Sequence, residues 1–346
     1  MKLFLSLALF FAFLLCPAAC ADGVRDGLSL AAREALPALF PFFLASGLIV
    51  RTGLAARLAR LAARPLAFLY GLPPEAAPAV VLGLTGGYPV GAATVAELLG
   101  QGALQKEDAA RVNAFCNCAS PGFCIGLVGL GVFGSARTGA VLYGVHALAA
   151  LLTGLFAARS AGGGKIPRRA ALPPADEGFS AAFCGAAQQA AATALTVTAF
   201  LTVFSVLLAL LGPVLHAVPS GDMLTGVIEL TNGLDELSAL PLPIGAQLTL
   251  ASFLLGFGGL SVQFQVRALA APFELPMGGF TAAKLLHGTI AAALTAFLFH
   301  LSPEALTVFA PNAAQKAAVQ DWTGAVLLIL LIVFPFWGGK KPKNAV

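Results

Sequence analysis

Apolar runs long enough to cross a bilayer alternate along this chain with short polar connectors, and the pattern reads as helices throughout. Unpaired backbone groups are too costly in hydrocarbon, so an apolar segment of about 20 residues crosses it as a helix. Such runs at 36–50, 76–100, 138–158, 190–215, 243–265, 279–300 and 322–338 predict spans. Ahead of them, Lys2 precedes an apolar run over 3–15 that leads into Cys16, Pro17, Ala18, Ala19, Cys20 and Ala21. This run reads either as a retained first helix or as a signal peptide with a small-residue cleavage site. With it retained, an all-α, polytopic membrane helix bundle of about eight spans is predicted.

Charge placement sets the expected topology. Arg51, Arg57, Arg60 and Arg64 cluster after the 36–50 run, and Arg159, Lys165, Arg168 and Arg169 fill a connector that also holds Gly162, Gly163, Gly164, Pro173 and Pro174. Lys340, Lys341 and Lys343 lie in the tail. Basic connectors stay cytoplasmic, so these three places are expected inside, the C-terminus with them, and 22–34 outside. That requires 111–135 to dip into the membrane and return on the same face. Between 54 and 64, Leu54, Leu58 and Leu61 repeat at helical spacing beside the arginines, which predicts an amphipathic helix on the cytoplasmic surface. The expected divisions are an N-terminal segment at 1–35, a first membrane half at 36–158, a basic linker at 159–180, a second half at 181–300, and a final span with its tail at 301–346.

Composition agrees and excludes other classes. Of 346 residues, 58% are hydrophobic and 10% charged; a soluble domain carries about 25% charge. The net charge of +4 sits in connectors, without a long basic patch interleaved with aromatics, so no nucleic-acid partner is expected. The expected surroundings are the lipid bilayer. Six cysteines form no CxxC pair, and Cys116-Asn117-Cys118 has the wrong spacing for zinc, so no metal or cofactor is expected. The cysteines read as small membrane-compatible residues, with a soft-metal or redox site at Cys116, Cys118 and Cys124 as the alternative. HExxH and GxSxG are absent from the sequence, and Gly162-Gly163-Gly164-Lys165 lacks the P-loop's first glycine and its Ser/Thr. The chain is therefore not expected to be an enzyme.

The informative feature is where helix breakers fall. Thr85-Gly86-Gly87-Tyr88-Pro89 and Asn117 to Pro121 interrupt apolar runs in the first half; Thr231-Asn232-Gly233 and Gly256-Phe257-Gly258-Gly259 do so in the second. Broken helices survive in membranes only inside the bundle or beside a polar cavity, where transporters aim helix ends at solutes. The paired breaks suggest a duplicated module, with inversion possible. Gly126, Gly129 and Gly131 read instead as packing glycines. Glu229, Gln263, Gln265 and His287 are polar groups set in or beside apolar segments and are candidates for a polar path; His146 reads as an interhelical contact.

LPALFPFFLASGLIV at 36–50, GLTGGYPVGA at 83–92, RVNAFCNCASPGFCIG at 111–126, ELTNGLDEL at 229–237, LLGFGGLSVQFQV at 254–266 and KLLHG at 284–288 together resemble the nucleoside-recognition, or Gate, domain family, and within it the YlbJ-like branch of sporulation integral membrane proteins. The resemblance spans roughly 27–300 and implies two Gate-like halves on a transport-like helix scaffold. It implies that Thr85, Gly87, Asn117, Ser120, Glu229, Asn232, Gly259, Ser261 and Gln263 face a central site; Gly86, Tyr88, Thr231, Gly258 and His287 complete the candidate set. In that branch a His is common at the place of Gln263, and Thr or Ser at Cys116 and Cys118, so proton coupling through position 263 is in doubt here. The implied role is in spore formation, especially the cortex, with a small-molecule or ion substrate unidentified and a homo-oligomer left open. Two readings follow: a transporter or permease, or a non-transporting scaffold for envelope assembly whose arginines recruit partners.

Overall fold

A computed structural model describes residues 2–160, 178–217 and 222–301. The expected span at 322–338, the basic tail and most of the linker lie outside the described residues. Within them the only regular structure is helical. In chain order the helices are α1 Lys2–Leu15, α2 Pro17–Arg51, α3 Leu54–Tyr70, α4 Ala77–Gly86, α5 Val90–Gly100, α6 Lys106–Cys116, α7 Phe123–Val132, α8 Ala136–Ser160, α9 Phe179–Ala217, α10 Asp222–Ile228, α11 Leu230–Ala239, α12 Ile244–Phe257, α13 Gly259–Ala270 and α14 Phe280–Leu301.

The stretch 36–50 is not a short span of its own. It is the second half of a 35-residue helix, α2, which passes through one π-type turn at Ala31–Ala35. Helix α2 lies antiparallel on α9, with Gly23 against Val206, Gly27 against Thr202 and Gly47 against Ala186. Small residues let the two backbones close up, which is how apolar helices gain packing where lipid offers no hydrophobic drive. Helix α3 leaves Arg57, Arg60 and Arg64 exposed, but it packs through Ala55 and Ala59, while Leu54 and Leu61 of the expected apolar face are exposed as well. It meets the Pro74–Gly86 segment at 105°.

Two expected assignments differ. The stretch 76–100, expected to cross, is a hairpin. Gly83 of α4 and Gly91 of α5 both back onto the Cys116 carbonyl. Collinear helices would hold those two glycines about 12 Å apart, so one carbonyl cannot touch both unless the helices fold back. The stretch 111–135, expected to dip and return, does not turn back but runs on along α8. Helix α8 runs antiparallel along all of it: Phe115 meets Gly154, the Ala119 N–H bonds His146, and Cys124 backs onto Gly139. Helix α8 has 25 residues, about 37 Å of rise, enough to span.

The second half repeats this order of elements. After α9, helices α10 and α11 fold back with Gly226 against Gly233. Helices α12 and α13 are then joined through Gly258 and Gly259, at φ +81 and +69, a left-handed geometry that favours glycine. Helix α14 lies antiparallel along that broken pair, with Gly288 on Gly256 and the Ser252 and Thr295 hydroxyls 2.7 Å apart. Each half thus has a long helix, a hairpin, a broken pair and a second long helix. Five described helices are long and apolar enough to cross a membrane, α12–α13 counted as one, and the bent pair Leu54–Tyr70 with Pro74–Gly86 makes a sixth if it is one span.

One face of the bundle gathers Arg51 with Glu97 at 3.2 Å, Arg111 with the Gly71 and Tyr70 carbonyls, and Lys106 with Glu274 at 2.9 Å. Glu274 is exposed and lies in a connector; the Lys106 ammonium holds its carboxyl below the usual range. The other face carries Asp26, Arg33, Glu34 and Asp235.

Candidate functional site

The four interruptions meet inside the bundle. Gly87, at φ +87, turns the first hairpin and places Tyr88 and Ser120 side by side. Gly259 packs on the Leu230 N–H and the Gly226 carbonyl, so the second hairpin seats on the second break. Between them lies a cavity of about 60 Å³ whose wall is mostly apolar, Leu39, Phe123, Leu201 and Val262 among it, with Gly87, Tyr88, Ser120, Glu229, Thr231 and Gln265 also lining it and Leu30 and Glu34 of α2 on its outer side. That is room for about two waters. Beyond Glu34 and Thr231 it gives onto two open recesses of about 480 and 540 Å³, which carry Asp26, Arg33, Asn232 and Asp235.

Each lining group has a local reason for its position. Glu229 is 1% exposed and caps α11, accepting the Asn232 N–H at 2.9 Å; a capping carboxylate also faces the positive end of the helix dipole. Ser120 caps α7 by accepting the Phe123 N–H at 3.0 Å. Tyr88 is buried, and its hydroxyl has no partner among the described residues.

A second polar cluster lies behind Tyr88. The Asn117 side chain accepts the Ala92 N–H at 2.8 Å and donates to the Asn113 carbonyl and side-chain oxygen, both at 2.8 Å. It thereby ties the first break to the first hairpin. Lys284, 1% exposed, donates to the Asn117 carbonyl at 2.8 Å and lies 3.4 Å from His287 Nδ1, with its ammonium 5.8 Å from the centre of the Tyr88 ring. His287 Nε2 is 3.0 Å from the His146 carbonyl, and the two imidazoles stack at 4.5 Å. A carbonyl only accepts, so the His287 proton is on Nε2, and Nδ1 is left to accept from Lys284. His146 Nε2 accepts the Ala119 N–H at 2.8 Å, which puts its proton on Nδ1.

The candidate residues divide by place. Gly87, Tyr88, Ser120, Glu229 and Thr231 line the cavity, and Asn232 lines the recess. Asn117, Gly258 and His287 surround Lys284. Gly86 packs on Val90 and Phe42 at the hairpin, and Gly259 serves the seat of the second hairpin. Ser261 is buried and receives Gln265 Nε2 at 3.3 Å.

Two of the expected positions differ. Thr85 is exposed and donates to the Val81 carbonyl of its own helix at 2.9 Å, so it is turned away from the site; that intrahelical bond is what lets a hydroxyl sit on an apolar face. Gln263 faces α14, accepting the Thr281 hydroxyl at 2.9 Å, while Gln265, two residues on, reaches the cavity. Lys284 and Asn113 are missing from the expected set, although the KLLHG motif contained the first of them; Gln265, expected on a polar path, lines the cavity, and His146, expected as an interhelical contact, makes one. Of the expected packing glycines, Gly129 meets Gly139, but a side chain at Gly126 would meet open space. Cys116, Cys118 and Cys124 are buried free thiols, and no group of three metal-ligating side chains occurs among the described residues.

The fold and its interior define an integral membrane protein, all-helical and multi-spanning, with interrupted helices converging on buried polar groups. The chain is similar to the sporulation integral membrane protein YlbJ of Bacillus subtilis (strain 168), 27% identical over 85% of this chain and 82% of that protein. No family model and no solved structure matches it.

Proposed function

We propose that this protein is a transporter or permease of the Gate type, moving a small solute or ion in spore formation, with its two halves arranged as inverted repeats and its C-terminus in the cytoplasm. The observation that carries the reading is the cavity between Tyr88 and Ser120 of the first half and Glu229 and Gln265 of the second. Inversion is supported by the hairpins. The first opens toward the arginine face, where Arg51 pairs with Glu97, and the second toward the face where Asp235 lies. Interrupted helices around a shared interior point are the usual construction of a carrier site. In the present conformation the cavity admits only something ion-sized, so a larger solute requires a hairpin to move. The sporulation context rests on the likeness to YlbJ. No catalytic step is proposed.

The test is uptake into proteoliposomes of nucleosides, metal ions and peptidoglycan-related solutes. Flux above that of empty vesicles, reduced by Glu229→Gln, supports the reading; flux equal to empty vesicles for every solute class overturns it. The exposed Arg57, Arg60 and Arg64 favour a second reading, a scaffold for spore-envelope assembly. Under that reading Gln265→Leu and Glu229→Gln leave sporulation intact, while neutralising the arginines abolishes it.

A further inference from the structure

The end of α6 is a site for a positive charge. The last carbonyls of a helix have no partner within it, and the helix dipole makes that end negative. Here most of them are answered locally. The Asn113 carbonyl accepts from Asn117 Nδ2, the Phe115 carbonyl from the Cys118 thiol at 3.4 Å, and the Cys116 carbonyl is wedged between Gly83 and Gly91. The Asn117 carbonyl alone receives its donor from the other half of the molecule, the Lys284 ammonium at 2.8 Å. The rest of the ammonium's surroundings are neutral: His287 Nδ1 at 3.4 Å, the Tyr88 ring face at 5.8 Å, the bare backbone of Gly258 and the thiols of Cys116 and Cys118. Among the described residues no carboxylate lies within ion-pair distance of Lys284.

A buried cation without a counter-charge is expensive, and a methionine would fill the same space without that cost. What the lysine adds is the charge itself. A carbonyl at a helix break, an imidazole nitrogen and an aromatic face are ligands for a cation of single charge, since a divalent ion would call for anionic partners. Unwound carbonyls at such breaks are where membrane carriers hold a free coupling ion.

We propose that the break after α6 is a monovalent-cation site whose permanent occupant is the Lys284 ammonium, a tethered charge standing where other broken-helix proteins hold a free Na⁺ or K⁺. The site is complete without a dissolved cation, and removing the ammonium opens it to one. This stands whether or not the protein carries a solute.

The experiment is thermal unfolding of the full-length protein in detergent, in NaCl, KCl, NH₄Cl or choline chloride at equal ionic strength. The wild type is expected to have the same midpoint in all four. Lys284→Ala is expected to melt lower in choline and to recover with a saturable rise in at least one small cation. A selective rise in the wild type overturns the proposal, because its site would then be vacant. A Lys284→Ala midpoint that ignores the cation overturns it as well. If the variant does not survive extraction in choline chloride, recovery in KCl, NaCl or NH₄Cl alone supports the proposal, and recovery in none of the four overturns it.

Discussion

Lys284 Nζ and the Asn117 carbonyl oxygen lie 2.8 Å apart although 167 residues separate them in the chain. This contact joins the broken helix of the first half to α14 of the second. Asn117 is also the hub of its own break: its side chain accepts the Ala92 N–H and donates to Asn113. Asn117→Ala leaves the buried Ala92 N–H unpaired and strips Asn113 of its donor. The expected loss is about 2–5 kcal/mol of stability, read as a lowered midpoint of denaturant unfolding in detergent.

The glycines separate into two kinds that substitution distinguishes. A Cβ at Gly83 or Gly233 would run into the backbone of Cys116 or Gly226. Alanine there is expected to cost about 3 kcal/mol or more, since overpacking in a rigid interior is relieved only by moving a helix. Alanine at Gly126, where a Cβ meets nothing, is expected to change stability by less than about 0.5 kcal/mol. Melting curves of the three variants decide the matter.

His146 acts through acceptance, not charge. Its Nε2 receives the Ala119 N–H, and its ring stacks on His287. His146→Phe keeps the stack but orphans that N–H, at an expected cost of about 1–3 kcal/mol. A double-mutant cycle with His287→Phe isolates the coupling between the rings; an additive result would count against it.

Gln263 and Gln265 should respond differently. Gln263 bonds the Thr281 hydroxyl, so Gln263→Leu is expected to lower stability while leaving residual flux per folded molecule unchanged. Gln265 lines the cavity, so Gln265→Leu is expected to alter flux more than stability. Thr85→Val, on the exposed face, is expected to affect neither beyond about 0.5 kcal/mol.

Acid should weaken the link between Lys106 and Glu274. The Glu274 carboxyl titrates below its usual range in the folded protein. Its contribution is therefore present at neutral pH, above the unfolded value, and is lost as pH falls through the folded one. Because the pair is exposed, Glu274→Gln is expected to be nearly silent at high salt. A comparison of melting midpoints at pH 7 and in the carboxylate range, at low and high salt, checks both statements.

The breaks themselves were legible in the sequence. Paired glycines, prolines and polar residues interrupt apolar runs at Gly87, Asn117 and Gly258, and at each of these places the helix stops; the break expected at Thr231–Gly233 falls two residues earlier, at Glu229, because the Glu229 side chain caps α11 and those three residues lie inside that helix. What was not legible is whether the chain continues forward or turns back at a break. The 76–100 stretch is more apolar and longer than it needs to be for a hairpin, and 111–135 is more broken than it needs to be for a chain that runs on. Hydropathy ranks them one way and packing the other, because the deciding contacts, Gly83 and Gly91 on Cys116, are tertiary. The same holds for side-chain direction. Gln263 and Gln265 are alike to composition, and only the position of α14 and of the cavity separates them. Lys284 read as part of a motif, but nothing in the sequence tells which carbonyl a lysine will meet 167 residues away.

The seam between α2 and α9 constrains how this protein can change shape. A Cβ at Gly23, Gly27 or Gly47 would come within 2.6, 2.5 or 2.9 Å of α9 atoms. A ratchet of one turn, about 5.4 Å, brings Ala31 to the Gly27 position in one direction and Ala19 to the Gly23 position in the other. At the far end it brings Arg51 or Phe43 to the place of Gly47. Every one of these carries a Cβ where there is no space. The pair is locked in register at both ends, a fixed frame that cannot slide by a turn.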